Sequence, residues 1–228
     1  MSSLKPITIL LAEDHAIVRQ GLSALLSADN QLKIIGHAKN GREAVEMERQ
    51  LEPAVILMDI AMPVLNGIEA TKQILARNPA AKIIVLSAHS EDVYVTKMIE
   101  AGAAGFLEKQ MSADTLNHAI REVATGHAYF SPAIAKRLLN NQNQPRDRNG
   151  MIKPNGTHLS SRESEVLQLV AEGLANKQVA AQLGISIKTV EKHRQHLMDK
   201  LNIHDTAGLT RYAIAVGVIE SSVQLTIV

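Results

Sequence analysis

A chain of 228 residues with 46% apolar and 21% charged side chains can form one large domain or two small ones, and this composition excludes a disordered or fibrous protein. The net charge of +1 hides an asymmetry, because residues 1–135 carry 12 Lys/Arg against 15 Asp/Glu while residues 136–228 carry 12 against 8. An acidic half joined to a basic half suggests two tasks, the second on a polyanion.

Zero cysteines exclude a disulfide framework, a thiol nucleophile and cysteine zinc sites, and fit a reducing compartment. The longest apolar runs, AVILM at 54–58, IIVL at 83–86 and AIAVGVI at 213–219, fall well short of the ~20 residues that span a bilayer. The opening MSSLKPITILLAEDH is a poor secretory signal, and a cytoplasmic protein is expected. With three Tyr, two Phe and no Trp, stacking on single-stranded nucleic acid is disfavoured.

In chain order, ITILLA (7–12) precedes a helical pattern at 16–27, LKIIGHA (32–38) one at 41–50, and AVILMD (54–59) one at 68–78. KIIVLS (82–87) then precedes 92–101, and AGFLEK (104–109) precedes 112–125. The first, third and fourth β-rich runs are almost wholly apolar, as parallel strands covered on both faces must be. Five βα units predict an α/β doubly wound five-stranded parallel sheet. The stretch NNQNQPRDRNGMIKPNGT (140–157), with five Asn, two Pro and two Gly, reads as a linker. Only short helical patterns follow it. The expected division is 1–127, a connecting helix and polar linker at 128–157, and a small all-α domain at 158–228.

Ligands of a parallel sheet sit beyond the carboxyl ends of its strands. Those ends carry Glu13 and Asp14, then Asp59, Ser87 and Lys109. Taken singly, an acid after a strand is often a helix cap, a serine a turn residue and a lysine a solvated charge. Taken together, three converging carboxylates call for a hard cation, for which Mg²⁺ fits best. Lys109 and Ser87 then suit phosphoryl oxygens, which suggests phosphoryl transfer to Asp59. A phosphohydrolase using Asp59 as nucleophile is the enzymatic alternative, but Ala61 stands where a second general acid would be needed. The nine histidines are read as structural or surface residues.

The motifs LLAEDH (10–15), MDIAMPVLNG (58–67), LSAH (86–89) and GAAGFLEK (102–109) resemble the receiver domain of two-component response regulators. The resemblance implies that Asp59 accepts a phosphoryl group from a sensor histidine kinase or a small acyl phosphate. Asp14 would ligate Mg²⁺ directly, Glu13 largely through water, and the backbone carbonyl of Ala61 would complete the protein ligands. Lys109 would pair with the phosphoryl group, Ser87 would move toward it, and Phe106 would report that move by turning inward. Many relatives carry Tyr at the position of Phe106, so burial of the ring must here suffice without a phenol hydroxyl.

In the basic half, Ser160 and Glu163 form an S-x-x-E capping box before the run Val166, Leu167, Leu169, Val170. NKQVAAQLGISIKTVEKHRQHLMDKL (176–201) reads as a short helix, a turn at Gly184 and a second helix capped by Ser186. Ala180, Gly184 and Val190 have the small, turn and packing roles of a helix-turn-helix. A helical wheel gathers Ile187, Val190, Leu197, Met198 and Leu201 on one side, with Lys188, Lys192, Gln195 and Asp199 opposite and Glu191 and His196 flanking. Arg194 falls on the apolar side and is expected to snorkel or to pair within the domain.

From Leu159 to about Ile219 this half resembles the LuxR-type helix-turn-helix of NarL/FixJ regulators. The resemblance implies binding of double-stranded DNA through Lys177, Lys188, Thr189, Glu191, Lys192 and Gln195, with Glu191, Lys192 and Gln195 at base-reading positions. Lys188, long and one turn from the helix start, can reach a base or a phosphate, and phosphate is expected. It also implies a homodimer when phosphorylated. Ala207, Leu209, Ala213 and Ile214 form either a dimer patch or part of the bundle core. A basic half that binds protein or RNA is the remaining alternative.

Overall fold

A computed structural model describes residues 5–87, 97–130, 134 and 159–219. The linker expected at 140–157 lies outside the described residues, as do residues 92–96 of the fourth expected helix. The chain divides into two compact units, 1–153 and 154–228.

The first unit alternates strands and helices. They are β1 (Ile7–Ala12), α1 (Ala16–Ser27), β2 (Leu32–Ala38), α2 (Gly41–Leu51), β3 (Val55–Asp59), α3 (Gly67–Arg77), β4 (Ile83–Ser87), β5 (Gly105–Glu108) and α4 (Ala113–Thr125). Residues 97–100 are also helical. All strand pairs are parallel, in the order β2-β1-β3-β4-β5.

Side chains alternate across a strand, so each apolar run feeds two cores at once. Leu10, Ile56, Met58, Ile83, Val85 and Phe106 face one side, where Ala44 of α2 and Ala70 and Ile74 of α3 cover them. Ile9, Leu11, Leu57, Ile84, Leu86 and Leu107 face the other, under Leu22 and Leu26 of α1 and Leu116, Ile120 and Val123 of α4. Both faces are covered, which is why these strands read as continuous apolar runs rather than as an alternation. Past α4 the chain returns to the sheet edge. Tyr129 donates to Ala104 O at 2.9 Å and accepts from Phe106 N–H at 3.1 Å, and Ile134 is buried in the first core.

The second unit holds α5 (Ser161–Ala171), α6 (Asn176–Leu183), α7 (Ile187–Leu201) and α8 (Thr206–Ala215). Helix α5 packs on α7 and α8, and α6 packs on α7. Ser160 and Glu163 make the expected reciprocal capping box of α5, and the Ser186 side chain accepts from Thr189 N–H to open α7. Gly184 ends α6 in the left-handed region at φ 63°, where its N–H caps the carbonyls of Ala180 and Ala181. Val190 and Leu197 are fully buried in the bundle core. Ile187 is not, being 44% exposed at the first turn of α7.

Candidate functional site

Parallel strands bring their carboxyl ends to one edge, and β1, β3 and β5 deliver Glu13, Asp59 and Lys109 there. Glu13 and Asp59 are buried, while Asp14 is only partly covered. Lys109 Nζ lies 2.8 Å from Glu13 Oε2 and 2.9 Å from Asp59 Oδ1. Its backbone N–H donates to Ser87 O at 2.7 Å, which holds the end of β5 against the end of β4. Ser87 is buried beside it.

One donor atom from each of Glu13, Asp14, His15 and Asp59 falls within 4.8 Å of the others. Three of those donors are carboxylate oxygens, the hard set that suits a small divalent cation. His15 contributes ring Nδ1, 3.0 Å from Asp14 Oδ1 and 3.2 Å from Glu13 Oε1. Burial pushes the Asp59 carboxyl up to about 7; the charges of Glu13 and Asp14 push the same way, and only Lys109 opposes them. Burial would lower Lys109, but the carboxylates of Asp59 and Glu13 outweigh it and hold its ammonium above the ordinary range. Lys109 offsets the charges of the neighbouring acids but not the burial of Asp59, and a cation among these carboxylates would further favour its charged form.

The turns that carry these acids are tied down by contacts of their own. Arg19 on α1 donates through Nη1 to the carbonyls of Glu13, at 2.8 Å, and Asp14, at 3.1 Å. The loop after β3, which carries Ala61, Met62 and Pro63, closes when Gly67 N–H donates to Ile60 O at 2.8 Å. Within it Val64 takes φ 70°, and Leu65 N–H reaches back to Pro63 O at 2.8 Å, a γ-turn. Ile60 N–H donates to Asp59 Oδ1 at 2.8 Å. Phe106 is buried among Met98, Ala101 and Ala103.

A separate feature lies on the second unit. Ser186, Lys188, Thr189, Glu191, Lys192, Gln195 and His196 line a shallow groove along α7, and Lys177 is exposed near the start of α6. The wheel's polar side is thus the exposed side, with Gln195 Nε2 donating to Asp199 Oδ1 at 2.8 Å. Arg194 pairs within the domain as expected, reaching Asn176 Oδ1 at 2.7 Å and Thr206 Oγ1 at 3.2 Å. On α8, Leu209 and Ala213 belong to the bundle core whereas Ala207 and Ile214 are exposed.

Residues 9–121 match the response regulator receiver domain, and residues 157–213 match the luxR family of bacterial regulatory proteins. The chain is 38% identical over 216 residues to the transcriptional regulatory protein LnrK of Bacillus subtilis (strain 168), covering 93% of its own length and 98% of that relative. It belongs to the NarL/FixJ-type response regulators. LiaR of the same organism is 39% identical to this response regulator over 207 residues, with 91% and 96% covered. Among solved structures, the response regulator ChrA of a heme-sensing two-component system aligns with a TM-score of 0.51 at 29% identity, covering 95% of this chain and 100% of that one. A structure of two RcsB dimers bound to two parallel DNAs aligns at 0.55 and 25% identity, with 93% and 100% covered.

The response regulator is therefore a DNA-binding transcriptional regulator of a two-component system, and its relatives are regulators rather than enzymes. Both alternatives weighed on the sequence, a phosphohydrolase and a basic half that binds RNA or protein, give way to this. No helix among the described residues is long and apolar enough to cross a membrane. The sequence reading brought Glu13, Asp14, Asp59, Ser87 and Lys109 to one sheet edge, and the structure does the same. It missed Arg19, whose role depends on how α1 leaves the β1 turn, and it set His15 aside with the other histidines although Nδ1 lies among the acids.

Proposed function

We propose that this response regulator is switched by Mg²⁺-dependent phosphorylation of Asp59 by a partner histidine kinase. The convergence of Glu13, Asp14, Asp59 and Lys109 at the ends of three strands carries this reading. Asp14, Asp59 and the Ala61 carbonyl would hold the ion directly and Glu13 through water; the ion would neutralise charge on the phosphoryl oxygens. Among the described residues, Ile60 N–H and Lys109 Nζ both meet Asp59 at Oδ1, and the attack on phosphorus is assigned to Oδ2. The P–N bond to the donor imidazole breaks as the P–O bond forms, its electron pair remains on nitrogen, and a proton neutralises that nitrogen. Lys109 then shifts its charge from the carboxylates to the phosphoryl group, and the Ser87 hydroxyl donates to a phosphoryl oxygen. The ring of Phe106 is already 1% exposed, so the inward turn expected of it is not a step of this proposal.

The second unit reads DNA through α7. Glu191, Lys192 and Gln195 face base edges, and Lys177, Lys188 and Thr189 hold the backbone. A homodimer on two half-sites, in a cytoplasmic protein divided at 1–127, 128–157 and 158–228, completes the proposal; the DNA-bound RcsB dimers support it by likeness.

Intact-mass measurement after incubation with acetyl phosphate and Mg²⁺ tests the phosphoacceptor. One phosphoryl group should appear on the wild type and none on Asp59→Asn or Asp14→Ala. Undiminished uptake by Asp59→Asn would sink the assignment.

A further inference from the structure

Residues four apart stack on one face of a helix, so the exposed side of α7 sorts into two rows. Lys188, Lys192 and His196 form one; Glu191, Gln195 and Asp199 form the other, and all six are exposed. The two lysines offer only donors, whereas Glu191 and Asp199 offer only acceptors. Between those acids lies Gln195, whose amide has one end of each kind.

The contact with Asp199 decides which end is free. Gln195 Nε2 lies 2.8 Å from Asp199 Oδ1, and a carboxylate can only accept, so the nitrogen must be the end turned toward it. A reversed amide would set Oε1 against the carboxylate, acceptor against acceptor. An unheld glutamine presents either end to a base edge at little cost. A held one presents the oxygen.

Asp199 is also a poor residue for affinity. Its negative charge sits on the surface that would approach a polyanion, and it weakens that approach at every sequence. A cost paid without regard to sequence points to a benefit that depends on it.

We propose that Asp199 is a positioning residue for base readout: by holding the Gln195 amide it makes Gln195 present Oε1 to the major groove and select an exocyclic amino group, on adenine or cytosine, over the oxygen of guanine or thymine. Amino groups and oxygens occupy corresponding major-groove positions in these bases, so a fixed acceptor distinguishes the two pairs. The inference rests on the placement of α7 in the groove.

The test is binding-site selection from randomised duplexes, with acetyl phosphate and Mg²⁺ present throughout, using full-length wild type, Gln195→Ala, Asp199→Ala and Asp199→Asn. Fluorescence anisotropy on the selected duplex and its single-base variants then gives the discrimination, and circular dichroism confirms that each variant is folded. Gln195→Ala should lose preference for adenine or cytosine at one position of each half-site. Asp199→Ala should lose discrimination at that same position, by roughly fivefold or more, while binding random duplex at least as tightly as the wild type. Asp199→Asn, whose amide can meet either end of Gln195, should also lose discrimination there. An unchanged preference in Asp199→Ala, a loss spread evenly over all positions, or full retention of the preference in Asp199→Asn would each overturn the proposal. If Glu191→Ala, Lys192→Ala and Gln195→Ala all leave every position unchanged, the placement of α7 in the groove fails, and the role of Asp199 fails with it.

Discussion

Gly67 sits where the site permits no side chain. A Cβ there would fall 2.0 Å from the carbonyl oxygen of Asp59, and a backbone atom cannot swing aside as the end of a flexible chain can. Gly67→Ala should therefore destabilise the first unit by about 2–3 kcal/mol and lower phosphoryl uptake as the loop carrying Ala61 shifts. Urea unfolding read by circular dichroism checks this; an unchanged midpoint would show that the loop gives way freely. Val64, a β-branched residue at φ 70° in the same loop, holds a conformation that costs about 1–3 kcal/mol elsewhere. Neither constraint is legible from residue types alone, although Gly67 lies within the motif that flagged the region. The acids and Lys109 were legible because each ends a recognisable strand and parallel strands share one functional edge. The contacts of Arg19 and His15 were not, because they depend on the path of a turn rather than on any sequence period.

At the scale of elements, caps and periodicity carried most of the information. Ser160 and Glu163 announced the start of α5, and the structure adds a third member, Lys200 of α7, whose Nζ lies 2.9 Å from Glu163 Oε2. Burial pushes the Glu163 carboxyl up, but the Ser160 N–H and hydroxyl and the Lys200 ammonium outweigh it and hold it below its ordinary 4.5. A carboxyl lowered in this way stabilises the fold above its unfolded pKa, and that contribution is lost as pH falls through its folded one. Glu163→Ala should thus cost about 1 kcal/mol at pH 7. In melts at falling pH the gap from wild type should close once the pH is well below 4.5; a gap of constant size would mean that the charge of Glu163 contributes nothing. The wheel of α7 found its exposed side correctly and Arg194's inward pairing as well. It misplaced Ile187, because a wheel knows a residue's direction but not whether a neighbouring helix reaches the first turn. For α8 the sequence left core and dimer patch open, and the answer divides by residue: Leu209 and Ala213 pack inward while Ala207 and Ile214 face out.

For the whole molecule, the separation of charge foresaw the separation of labour. The half with 12 Lys/Arg and 15 Asp/Glu contains the acidic site, and the half with 12 against 8 contains the exposed lysines of α6 and α7. A phosphoryl group on the first unit alters DNA binding by the second only if it favours a state with higher DNA affinity, and such couplings typically change affinity by roughly 5–150-fold. The direct measurement is fluorescence anisotropy of a selected duplex titrated with full-length protein, with and without acetyl phosphate and Mg²⁺, for wild type and Asp59→Asn. The wild type should gain roughly tenfold in affinity on phosphorylation and Asp59→Asn nothing. An equal gain in Asp59→Asn, or none in a wild type shown by mass to be phosphorylated, would contradict the switch.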